Sequence, residues 1–152
     1  MIIAIGDLLR EINILNWYSG EAAKHNDPGA VFVQSDLDEQ DAMMYHLGCA
    51  VNNVLLLANA NRVKFTCMME DDSLKFELSP LREGREHMKD ILKNAIRQYL
   101  VYEVRLLWML TVKPEWVDAS LEERYVRNIK DAMSAVTTGN KVRRRATDLA
   151  GI

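Results

Sequence analysis

The 152-residue chain is 49% hydrophobic and 27% charged, with a formal charge of −3, seven glycines and three prolines. This composition excludes a disordered chain, favours helices over a turn-rich β-sandwich, and argues against a protein that coats DNA by charge alone. The length suits one domain, because a folded chain of this size buries about 68–70% of its unfolded surface.

Ile5, Leu8, Leu9, Ile12 and Leu15 recur at helical spacing, which predicts a first helix over residues 3–18. Gly20 is read as its stop, with a short helical piece at Glu21-Ala22-Ala23-Lys24. Asn26-Asp27-Pro28-Gly29 is a turn, and Val31-Phe32-Val33 reads as extended, either an edge strand or a segment on the core. Ser35 caps a second helix, and Asp36, Asp38, Glu39 and Asp41 place negative charge at its positive dipole end. Met44, Leu47, Val51, Val54 and Ala58 form its apolar stripe.

The period then changes from 3.6 to 2. Val63, Phe65, Cys67 and Met69 alternate with Lys64, Thr66 and Met68 up to Glu70-Asp71-Asp72, and Leu74, Phe76 and Leu78 alternate with Ser73, Lys75 and Glu77 after it. This predicts a β-hairpin over about 63–79. Two strands alone are marginal in water, so the hairpin must lean on helices or on another subunit. Ser79-Pro80 opens a long third helix, about 80–111, with Met88, Ile91, Leu92, Ala95, Ile96, Tyr99, Leu100, Leu107 and Leu110 facing inward. It is apolar nearly all round near Tyr99 and Trp108, as expected of a helix covered on several sides. The fourth helix starts near Pro114 or at the capping box Ser120-Leu121-Glu122-Glu123, points Leu121, Tyr125, Ile129, Ala132 and Val136 inward, and stops at Gly139. The expected fold is therefore mainly α: a four-helix bundle with one inserted β-hairpin over residues 1–140, followed by an extended basic C-terminal arm over 141–152.

Candidate chemistry is thin. His46 and Cys49 lie at i and i+3, but zinc needs three or four ligands and no further paired donors exist. The acidic residues 36–41 are better explained by helix-dipole stabilisation than by magnesium, and Glu70-Asp71-Asp72 by a solvated turn. Phosphate loops, nucleophile elbows and Cys-x-x-Cys pairs are missing, so no catalytic residue, cofactor or metal is nominated and the chain is read as a non-enzyme. Cys49 and Cys67 are expected to be buried thiols in a reducing compartment. The start of the chain has no basic n-region, so no leader is expected, and no apolar run is long enough for a membrane span.

Charge is divided unevenly along the chain. Residues 1–140 carry 15 Lys/Arg against 21 Asp/Glu, a net of −6, whereas residues 141–152 carry 4 against 1, a net of +3. Lys141, Arg143, Arg144 and Arg145 form a cationic stem, and Leu149 and Ile152 an apolar tip that a merely solubilising tail does not need. This pattern fits a docking peptide. The aromatic residues Phe65, Phe76, Trp108 and Trp116 are candidates for a subunit interface, with core packing as the alternative.

Several stretches together resemble one family. They are the first helix running into Trp17-Tyr18-Ser19-Gly20-Glu21-Ala22-Ala23-Lys24, the hairpin over 63–78, and Ile96-Arg97-Gln98-Tyr99-Leu100-Val101-Tyr102-Glu103-Val104-Arg105-Leu106-Leu107-Trp108. Lys113-Pro114, a Tyr125-containing helix and the Arg143-Arg144-Arg145 exit complete them. In this order the chain resembles the small head–tail connector (adaptor) proteins of tailed bacteriophages, particularly those of Bacteroides phages and prophages. The resemblance implies a virion protein, assembled in the bacterial cytoplasm, that forms a ring beneath the portal, in many cases a dodecamer. Its partners would be the portal and neighbouring tail or connector proteins, with DNA only as passing cargo and no membrane. Residues 141–152 would be the arm that engages the portal. The alternative is a small helical adaptor or regulatory protein that binds a partner protein or DNA through the same basic tail.

Overall fold

The computed structural model describes residues 1–26, 37–59, 64–79, 86–112 and 119–137. The extended segment at 31–33, Trp116 and the whole arm, 141–152, lie outside these residues. The described part is mainly α, with four helices and a small three-stranded sheet. In chain order these are β1 (Ile2–Ala4), α1 (Ile5–Asn26), α2 (Leu37–Asn59), β2 (Lys64–Glu70), β3 (Ser73–Ser79), α3 (Lys89–Val112), preceded by a 3-10 turn at Glu86–Met88, and α4 (Glu122–Thr137).

The start of the chain corrects the expected helix over 3–18. Residues 2–4 form a strand that pairs antiparallel with β3, Ile3 opposite Leu74. The Met1 amino group donates to the Phe76 carbonyl at 2.8 Å, and the Phe76 N–H donates to the Met1 carbonyl at 2.7 Å. The hairpin β2–β3 is paired as expected, from Lys64 opposite Ser79 to Glu70 opposite Ser73. It is stabilised by a third strand, so β3 is the central strand in the order β1-β3-β2. A three-residue strand carries too little alternation to stand out from the helical stripe that follows it.

Helix α1 also runs through Gly20 to Asn26, so Gly20 is not its stop and Glu21–Lys24 is no separate piece. One interior glycine costs a helix about 1 kcal/mol, which the strong helix formers after it offset. Helix α2 buries Met43, Leu47, Ala50, Val51 and Val54. Helix α3 starts later than expected, after the 3-10 turn, and it packs on α1, α2 and α4 and touches β1. It buries Leu92, Ala95, Ile96, Tyr99, Leu100, Val101, Val104, Trp108 and Met109, whereas Ile91 and Leu110, expected inside, are exposed. Helix α4 begins at the predicted capping box and buries Ile129, Ala132, Met133 and Val136, with Leu121 exposed.

Phe65, Phe76 and Trp108 lie in this core and not on the surface. The two phenylalanine rings stack at 5.4 Å with 19° between planes, across the β2–β3 pair. Each such side chain contributes about 1.5–3 kcal/mol by burial. They close the core of the single chain, and an interface between copies must use other residues. Cys49 and Cys67 are free thiols, both half-buried and not fully buried as expected. Burial pushes the Cys67 thiol up.

Candidate functional site

A cleft of about 290 Å³ opens where α1, α3 and α4 meet. Glu11 and Leu15 line it from α1, Arg97, Gln98, Val101, Tyr102 and Arg105 from α3, and Arg124, Tyr125 and Asn128 from α4. Helical spacing builds this wall: residues 97, 101 and 105 share one face of α3, and 98 and 102 the adjacent one. The lining holds three guanidinium groups and one carboxylate, in a chain whose formal charge is −3.

Two of the arginines are held by the fold. Arg97 donates to the Glu11 carboxylate and, at 3.1 Å, to the Asn94 side-chain oxygen. The Arg97–Glu11 pair is half-exposed, which limits its stabilisation to about 1 kcal/mol. Arg105 is more deeply set. Its Nε donates to Asn16 Oδ1 at 3.0 Å, and a terminal nitrogen donates to the Leu15 carbonyl at 3.4 Å. Burial pushes the Arg105 guanidinium below its ordinary value, while Tyr125 and Tyr102 act in the opposite direction. The Tyr102 and Tyr125 rings lie 4.9 Å apart at 34°, so one aromatic pair stands beside the cationic groups. Arg124 is exposed on α4. The arrangement can hold a carboxylate or another oxyanion, because guanidinium forks match such groups in charge and shape.

A second polar site lies inside the molecule. Glu103 of α3 is only 5% exposed, and its Oε2 has no hydrogen-bond partner among the described residues. Burial, followed by the charge of Glu122 and a hydrogen bond with it, raises the Glu103 carboxyl to about 7. Tyr99 is raised to about 12, first by burial and then by Glu103, against a hydrogen bond with Asn53. Glu103 does not line the arginine cleft. It is a buried acid on α3 beside Glu122 of α4, apart from the arginine cleft.

None of the predicted site residues that are described lines this cleft. Lys141, Arg143, Arg144, Arg145, Leu149, Ile152 and Trp116 lie outside the described residues. Phe65, Phe76 and Trp108 are core. His46 and Cys49 are both half-buried on α2, where burial pushes the imidazole down, and among the described residues no group of three His, Cys, Asp or Glu could hold a metal. Glu70, Asp71 and Asp72 are exposed at the β2–β3 turn, and Asp71 has a φ of 50°. Sequence reasoning missed the arginine cleft. Arg97 and Arg105 are eight residues apart on one helix, which is legible, but Arg124 joins them only through the antiparallel return of α4.

No protein-family model, curated protein or solved structure matches the chain. Large apolar side chains are exposed at several places on the described surface, among them Tyr45 (72% exposed) and Leu56 on α2, Met68 and Met69 on β2, and Ile2 and Ile91. Together with the cleft they are the parts of the described surface best suited to meeting another protein.

Proposed function

We propose that this chain is a structural assembly protein, a head–tail connector of a tailed phage whose helices form the bundle of one ring subunit. The ring would sit between portal and tail in the virion, dock through residues 141–152 and continue the DNA channel. The observation that carries this reading is the division of charge, −6 over residues 1–140 against +3 over residues 141–152. An acidic body lets DNA slide past without adhering, and a cationic, apolar-tipped arm grips a protein partner. The exposed Tyr45, Leu56, Met68 and Met69 are consistent with contacts to neighbouring copies or other virion proteins.

A pull-down with a co-expressed portal protein, with and without residues 141–152, tests the reading. The full chain is expected to capture the portal and the truncated chain to lose it. Equal capture by both removes the arm from the function, and a full chain that captures nothing and stays monomeric removes the connector reading.

A further inference from the structure

We propose that the arginine cleft receives the acidic β2–β3 turn of a second copy of this chain. The proposal rests on the assembly reading above and names the contact that repeats through the assembly. The two surfaces complement each other twice. Glu70, Asp71 and Asp72 place three exposed carboxylates in succession at the turn, and the cleft brings together three guanidiniums with Glu11 as its one carboxylate. Beside the turn, Met68 and Met69 are exposed at 55% and 52%, and beside the arginines stands the Tyr102–Tyr125 pair. Thioether groups pack favourably on aromatic rings, so the apolar parts match as the charged parts do.

The contact runs between chains. The Asp72 carbonyl accepts the Ile5 N–H at 2.8 Å, which ties the turn to the first residue of α1. The cleft begins at Glu11, and no residue of the turn lines the cleft of its own chain. The strands pair up to Glu70 opposite Ser73, so the turn is presented in a set shape and loses little freedom on docking. A volume of about 290 Å³ is small for a ligand pocket and suits a few side chains. Arg97 and Arg105 are held by Glu11, Asn94, Asn16 and Leu15, so they supply a preset field. Arg124, exposed at the rim, is the residue that pairs most directly with the incoming carboxylates. The turn and the cleft are different surfaces of the same chain, so the contact is head-to-tail and can close into a ring.

The test is a charge swap followed by sedimentation velocity and mass photometry of the full chain over a range of concentrations in low salt. Asp72→Lys and Arg124→Glu change exposed side chains, and circular dichroism checks that each variant folds; Glu70→Lys is a second turn variant. The wild type is expected to self-associate, less so in high salt, and each single reversal to weaken association at least tenfold. Mixing the Asp72→Lys and Arg124→Glu chains restores it, as does the double variant, because residues 72 and 124 then again face each other across the contact with opposite charge. Single variants that associate like the wild type overturn the proposal and leave a ring built on another surface. Failure of both the mixture and the double variant to recover also overturns it. A wild type that stays monomeric at every concentration overturns the proposal, and with an added portal that it also fails to bind, the assembly reading as well.

Discussion

Glu103 sits on α3 within hydrogen-bonding reach of Glu122, and its carboxyl is raised from the ordinary 4.5 to about 7. The folded state therefore binds this proton more tightly than the unfolded chain does. The stability linked to it is fully present below pH about 4.5 and is lost as pH rises through about 7. Glu103→Gln removes the titration. Its melting temperature relative to the wild type is expected to rise between pH 5 and pH 8, measured by thermal unfolding across that range. A constant difference over the range would show that Glu103 is ionised at no cost. The sequence shows a glutamate inside an apolar stretch of α3. It does not show that Glu122 from another helix arrives beside it, and that proximity adds to the shift that burial causes.

At the level of elements, the short strand β1 is the part that composition and periodicity hide. Ile3 is 3% exposed and pairs opposite Leu74 on the central strand. Ile3→Ala is expected to destabilise the protein by about 2–4 kcal/mol, read from urea unfolding. If the cost were below about 0.5 kcal/mol, β1 would be an ornament on the hairpin and not part of its support. Helix α2 holds the opposite case. Gly48 lies in its interior, and a Cβ added there meets nothing within 4 Å. Gly48→Ala should stabilise by about 0.5–1 kcal/mol, because alanine loses less backbone entropy on entering the helix. The same urea curves detect it as a higher midpoint at unchanged slope. Both hairpin strands and α4 follow the sequence closely, since alternation and a capping box are local signals. The end of α1 does not, because a single glycine is a weaker stop than the helix formers beyond it.

For the whole molecule the distribution of charge decides how it meets nucleic acid. With residues 1–140 at a net of −6, the body repels phosphates, and the three consecutive arginines of the arm are too few to hold a duplex. Fluorescence anisotropy at about 0.15 M salt should find duplex affinity no tighter than the micromolar range of non-specific binding. Arg143–Arg145→Ala should leave that weak affinity nearly unchanged while weakening portal capture. Strong binding with a steep salt slope that the triple substitution abolishes would favour the DNA-binding adaptor instead.

The mainly helical class, the hairpin, the start of α4 and the central position of α3 were determined by the sequence alone, through periodicity and helix-start signals that act within a few residues. The charge division between residues 1–140 and 141–152 is equally a property of the sequence. Only the tertiary structure decided that Phe65, Phe76 and Trp108 belong to the core of one chain, that residues 2–4 add a strand to the sheet, and that three arginines from two helices share one cleft. Those facts depend on which helix faces are brought together by packing, and side chains far apart in the chain acquire neighbours only when the helices cross.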